Sequence, residues 1–442
     1  MSLIADARSQ ARPKTPDLSA LPPGPSLPTA LQSLLFIIAP YQSMPRWHRR
    51  FGDMFSVSLA PAGHAVVLAN PDHIREVFAG PSTVFHAGEG NAILKQIMGD
   101  NSVLLLDEEA HLAARKRVMA AFHGETMRGW GERIEQITTE QLRRWPIGRP
   151  FAIHASMNDI SLEVIMRIVF GMTDEARFER LRPLLTRLVK VGPTVFLGWM
   201  YPQLQKIGPW RRFMALKSQV DELLYAEIAQ RRLESDLDGR VDVLSKLLVA
   251  APEQSDEELR DHLITLLLAG HETTASTLAW TFHELARSPR VLARAQQAAD
   301  DGDDAYLDAT VKESMRVHPV IRNVARYLTE PVRVGGYDLP AGVTVFPSIM
   351  LVQHTPRLWP SPQEFRPERF LDGNPPSTTW FPFGGGIRRC LGAGLAAVES
   401  QAVLKTVLRS FDVAPDGSRE QPKTRNITTV PARGARVVLT RR

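Results

Sequence analysis

Phe383-Gly384-Gly385-Gly386-Ile387-Arg388-Arg389-Cys390-Leu391-Gly392-Ala393-Gly394 contains the only cysteine of the 442-residue chain and leads directly into an apolar helical pattern. One thiol excludes an internal disulfide and every zinc site built from several cysteines, so any chemistry here is that of a single thiol or thiolate. A lone cysteine is in general a small buried hydrophobe. The glycine- and arginine-rich surroundings of Cys390 point instead to a ligand.

The bulk composition fits a globular protein with a sizeable core, at 44% hydrophobic and 23% charged residues. The 53 Lys and Arg exceed the 48 Asp and Glu but are scattered, with few of the basic runs that mark a nucleic-acid surface. The excess suits an acidic protein partner better. Leu34-Leu35-Phe36-Ile37-Ile38-Ala39 is stopped by Pro40, far short of the ~20 residues a membrane span needs. Residues 1–20 carry charges of both signs and lack an apolar core followed by a small-residue cleavage site, so they read as a flexible leader and not a secretory signal. The expectation is a cytoplasmic protein with no membrane anchor, and a single catalytic domain over 21–442.

Periodicity along the chain is mainly helical. Apolar residues recur at three- and four-residue steps in 162–170, 181–191, 213–233 and 241–250. A β-rich portion is expected over about 50–70, 320–350 and 425–442, with 54–59 and 65–68 forming a hairpin. Pro193, Pro202 and Pro209 break an apolar stretch holding Phe196, Leu197, Trp199, Met200 and Tyr201, which reads either as a lid or as a helix–helix corner.

Ser255-Asp256-Glu257-Glu258 has the form of a capping box, and a helical pattern continues from it to about Ser288. Such a helix spans about 50 Å. Its centre, Ala269-Gly270-His271-Glu272-Thr273-Thr274, is a poor packing sequence: a central Gly costs about 1 kcal/mol relative to Ala. Threonine hydroxyls can also bond back to the preceding turn. A functional distortion near Gly270 is predicted. A zinc-protease reading fails because the second histidine it needs would fall at Ala275. His271 reads as a solvent-edge or satisfied core histidine, whereas a buried Glu272 beside Thr273 would suit a proton relay.

Glu313 and Arg316 lie three apart on one helix face, with Pro319 soon after. An isolated pair of this kind is commonly a solvated surface contact. Arg369, framed by Phe365, Pro367 and Phe370, makes a buried network of Glu313, Arg316 and Arg369 plausible.

Together these pieces resemble the cytochrome P-450 family of haem-thiolate monooxygenases. Phe-x-x-Gly-x-Arg-x-Cys-x-Gly matches Phe383, Gly386, Arg388, Cys390 and Gly392. Ala-Gly-x-Glu-Thr-Thr matches 269–274, Glu-x-x-Arg matches 313–316, and Pro-Glu-Arg-Phe matches 367–370. The four stand in the family's order, and the resemblance runs from about Leu21 onward. It implies a mainly α fold with a small β-sheet subdomain, a triangular prism holding haem between a long central helix and the helix after the cysteine loop.

The resemblance also implies roles. Cys390 is the axial metal ligand of haem b (iron protoporphyrin IX), its electron donation favouring O–O cleavage. Gly384, Gly385, Gly386 and Gly392 let backbone N–H groups approach the sulfur, and Phe383 shields it. His111, Arg115, Arg326 and Arg388 hold the propionates, with Arg322 a competitor that the spacing after Pro319-Val320 disfavours. Ala269 lies against the cofactor, Glu272 and Thr273 relay protons to dioxygen, and the distortion at Gly270 makes room.

Phe85, Phe196, Leu267, Ala269, Val320, Ile321 and Val324 line the implied pocket, whose apolar character suggests a fatty acid, terpenoid, steroid or polyketide hydroxylated or epoxidised with O2. Electrons come from a separate ferredoxin or flavodoxin with its NAD(P)H reductase, docking near Arg115, Lys116, Arg117, Arg388 and Arg389, and the expected state is a monomer of bacterial type. The alternative is a non-enzymatic haem-thiolate sensor or electron carrier, which has no use for Glu272 with Thr273. A cysteine-nucleophile hydrolase leaves both helix motifs unexplained.

Overall fold

The computed structural model describes residues 20–60, 62–122, 124–189, 203 and 206–442. Their fold divides into two compact units. Alternating apolar residues make Met54–Leu59 and Gly63–Leu68 strands, paired antiparallel from Met54 opposite Leu68 to Leu59 opposite Gly63. Gly63–Leu68 pairs in parallel with Thr344–Pro347, which pairs antiparallel with Arg326–Leu328 and, through it, Phe85–His86. This five-stranded sheet belongs to the unit that ends at His86 and resumes over Ala325–Pro347. The strands near the C-terminus belong to the other unit, Ala87–Val324 with Ser348–Arg442. There Arg436–Arg441 pairs with Phe411–Pro415 and Phe151–Ala152, and Pro422–Arg425 forms a hairpin with Thr428–Pro431.

The second unit is mainly helical around a large apolar core, with a smaller cluster of Ala309, Trp359 and Phe370. Its axis is the helix Asp256–Arg287, opened by the capping box: Ser255 accepts from the Glu258 N–H while the Glu258 carboxylate accepts from that of Ser255. Most of its residues are buried, which explains why its sequence is apolar without a clean polar face. Its polar residues near the start are paired: Asp261 accepts from the backbone and side-chain N–H of Asn101 at 3.0 and 3.1 Å, and Thr265 bonds Ser102 at 2.8 Å.

The distortion predicted at Gly270 is not there, because the α-helix runs unbroken from 256 to 287. The irregular turn lies on a neighbour. Ile153–Val164 continues into a π-helical turn, Ile165–Val169, where Phe170 N–H bonds the Ile165 carbonyl at 3.0 Å. A Cβ on Gly270 would come within 2.9 Å of Ile165 Cδ1, so glycine serves close packing between these helices. The apolar stretch 191–210 lies largely outside the described residues, Phe196 with it.

Glu313 and Arg316, on the helix Asp304–Val317, have no solvent exposure. Arg316 donates to both Glu313 oxygens, at 2.7 and 2.8 Å, and to the carbonyls of Gln353, Pro362 and Glu364. Arg369 Nε and the Arg366 backbone N–H also donate to Glu313 Oε1, at 3.3 and 2.9 Å. The carboxylate therefore ties the segment 353–369 to the helix. A second buried acid, Glu284, accepts from Arg419 at 2.9 Å and bonds His318 at 2.7 Å, while the His318 ring stacks on Trp280 at 4.0 Å.

Both buried acids can be probed by substitution. Glu313→Ala leaves two guanidinium groups without their counter-charge and should cost about 3–5 kcal/mol in denaturant unfolding. Burial acts to raise the Glu284 carboxyl, but His318 and Arg419 outweigh it and hold it at about 2, against 4.5 ordinarily. Its stabilisation is complete above pH 4.5 and is lost as pH falls toward about 2. Stability measured across that window should fall less steeply in Glu284→Gln than in the parent protein.

Candidate functional site

Gly384 (φ +67°) and Gly386 (φ +64°) take backbone angles that side-chain-bearing residues avoid, and they fold the chain back so that Cys390 N–H bonds the Phe383 carbonyl at 2.9 Å. Gly385 and Gly392 adopt ordinary angles, Gly392 as the residue before the helix Ala393–Ser410. Cys390 thus precedes the positive end of an 18-residue helix by three residues. Solvent reaches its side chain, yet protein forms most of its shell. That shell pushes the thiol up, while the Gly392 N–H and the charges of Arg389 and Arg115 pull it down. Phe383 meets Trp380 edge to face, with ring centres 6.3 Å apart.

The cations near the loop are unequal. His111 and Arg115 stand one turn apart on the helix Glu108–Ala120, His111 buried and Arg115 half-buried. Burial lowers Arg115; Cys390 and Arg389 act on it with opposite signs, which places all three in one electrostatic neighbourhood. Arg388 is already engaged. It donates to the Val103 and Leu106 carbonyls and to Asp107, which also accepts from the backbone N–H groups of Gly88 and Glu89. Burial lowers Arg388 to about 10, against the pull of Asp107. Arg322 bonds the hydroxyls of Thr424 and Thr429, at 3.1 and 3.2 Å. Arg326, in the first unit, donates to the Ala325 carbonyl and lies 5.7 Å over the Phe78 ring.

On the long helix, solvent reaches Leu266, Ala269, Gly270 and Thr273 while most of the helix is buried. Their spacing of three and four residues puts them on one face of the helix. Thr273 donates its hydroxyl to the Ala269 carbonyl at 2.6 Å. Glu272 points elsewhere, since adjacent helical residues diverge by about 100°. It is buried, and its carboxylate accepts from Arg425 at 3.1 Å and from Thr428 at 3.3 Å. Burial raises this acid; Arg425 and Thr428 act to lower it. His271, also buried, is kept neutral by burial and the nearby Arg425, its value falling to about 4.

The residues expected to line the pocket differ in burial. Leu267 belongs to the core cluster, Val320 is buried, and Ile321 and Val324 are half-buried. Ile321 bridges to Thr428, and Thr429 N–H bonds the Val320 carbonyl at 2.8 Å, so this segment and the 422–431 hairpin form one piece. Phe85 is buried in its strand of the first unit. Asp107 and Arg425 escaped sequence reading: Asp107 sits in an ordinary acidic helix start, and Arg425 in a short strand with no motif.

Residues 22–437 match the family description Cytochrome P450. The chain is a cytochrome P450. A Mycobacterium tuberculosis relative described as cytochrome P450 135A1 is 45% identical over 431 residues, covering 95% of each chain. A Mycobacterium bovis relative described as cytochrome P450 135B1 is 43% identical over 428 residues, 94% of this chain and 91% of its own. Among solved structures, the P450 is similar to retinoic acid bound cyanobacterial CYP120A1, with a TM-score of 0.84 over 96% of this chain and 99% of that one. At 23% identity that likeness concerns the fold alone.

Membership implies a haem held by cysteine thiolate, which supplies O2 activation when bound. The residues of this P450 fit it: one solvent-reachable thiol at a helix start, Arg115 in its electrostatic neighbourhood, and a solvent-reached face on a largely buried helix. No described helix is long and apolar enough to cross a membrane. Asp107→Ala strands Arg388 and two backbone N–H groups; an expected loss of about 1–3 kcal/mol is readable in thermal unfolding.

Proposed function

We propose that this P450 is a haem-thiolate monooxygenase, with residues 21–442 acting as one catalytic domain. One oxygen atom of O2 enters a C–H or C=C bond of a lipophilic molecule, and the other leaves as water with two electrons and two protons. The observation that carries the reading is a thiol fixed at a helix start, in a chain whose long helix bares Ala269, Gly270 and Thr273 beside the buried acid Glu272. Cys390 holds the iron, and His111, Arg115 and Arg326 pair with the propionates. Arg388 serves there through the loop it braces. Thr273 and Glu272 hold and move the protons, for which a hydroxyl and a partly desolvated carboxyl are suited.

Apolar Val320, Ile321 and Val324 favour a fatty acid, terpenoid, steroid or polyketide. Electrons arrive from an acidic ferredoxin or flavodoxin. A groove of about 430 Å³ lined by Leu112, Arg115, Lys116, Met119 and Ala120 supports docking on that side, because exposed apolar side chains stand there beside cations. The protein works as a cytoplasmic monomer.

The reduced, CO-bound protein should give the long-wavelength Soret band of a thiolate-ligated haem; its absence overturns the reading. Thr273→Ala should keep that band while product formed per electron pair falls by roughly tenfold or more. A sensor or carrier would be indifferent to that substitution.

A further inference from the structure

Glu272 is the acid of the proton relay proposed for this P450, and a positioning role for any neighbour of it rests on that proposed function. Its two oxygens face the hairpin tip, not Thr273. Arg425 takes Oε1 at 3.1 Å, and the Thr428 hydroxyl reaches Oε2 at 3.3 Å. That hydroxyl has one proton and a nearer acceptor, the Arg425 carbonyl at 2.8 Å, so the arginine is the firmer hold. Thr273 is separately engaged with the Ala269 carbonyl. Acid and alcohol are therefore both occupied, and to serve Thr273 the carboxyl must leave Arg425 and turn about its side-chain torsions.

Arg425 spans from inside to outside. Its side chain is 34% exposed and that of Glu272 is 5% exposed, so the ion pair joins a buried acid to solvent. The tip carrying it, Arg425 to Thr428, is bridged through Thr428 to Ile321 and through Thr429 to Val320. Whatever lies against that segment lies against the element holding the acid. The same elements also carry His271, which stays neutral, Arg322, which bonds Thr424 and Thr429, and the exposed Lys423.

We propose that Arg425 is the positioning residue of Glu272: it draws the carboxylate to the hairpin tip, and its release lets the acid turn to Thr273. Arg425 pairs with Glu272, its charge also helps to keep the neighbouring His271 neutral, and its bearing on Thr273 runs through the acid.

The test tracks the Glu272 carboxyl directly in the purified holoprotein, by infrared titration of its protonated C=O band, assigned by loss in Glu272→Gln. Arg425→Ala should move the titration midpoint upward, because burial is then opposed only by Thr428, and Arg425→Lys should restore most of it. The pH profile of coupled turnover should move the same way. An unchanged midpoint in Arg425→Ala overturns the proposal, as does a shift in Arg425→Ala that Arg425→Lys leaves unrestored, since that marks a packing effect. If the midpoint moves but Glu272→Gln leaves coupling unaltered, the relay reading fails while the ion pair's control of the acid stands.

Discussion

Glu313 is a carboxylate with no access to water, and the helical unit depends on what surrounds it. A buried charge of this kind is tolerable only when its lone pairs are filled, and here Arg316, Arg369 and the Arg366 N–H fill them. Arg316 in turn collects three carbonyls from the segment 353–364, which has little regular structure of its own. Irregular backbone needs partners for its polar groups. The pair supplies them, and thereby fixes the chain that continues into the cysteine loop.

The same rule governs the site. Arg388 stands two residues before Cys390, yet Asp107 and two carbonyls claim it first, so it braces the loop more than it offers a free charge. Arg115, half-buried and coupled to Cys390, is the more available cation. Charge near the thiol thus comes from Arg115 and the exposed Arg389, while Arg388 serves the structure.

Local signals were legible in the residues alone. The Ser255–Glu258 cap, the 54–68 hairpin and the three-residue spacing of Glu313 and Arg316 each need only a few neighbouring positions. What sequence could not disclose are pairings across long separations: 281 residues between Asp107 and Arg388, and 153 between Glu272 and Arg425. No periodicity encodes such partners, because either residue alone resembles an ordinary surface charge. Gly270 is an intermediate case. Its unsuitability in a helix was visible, but the cause lay in Ile165 on another helix.

That contact has an evolutionary reading. With 2.9 Å between a hypothetical Cβ at 270 and Ile165 Cδ1, the two positions cannot drift independently. A lineage that gains alanine at the first, and with it a stiffer helix, must trim or turn the side chain at the second. The π-turn beginning at Ile165 would then lose part of the surface it rests on. Covariation between these sites, 105 positions apart by their numbering, would record a packing constraint that neither helix reveals by itself.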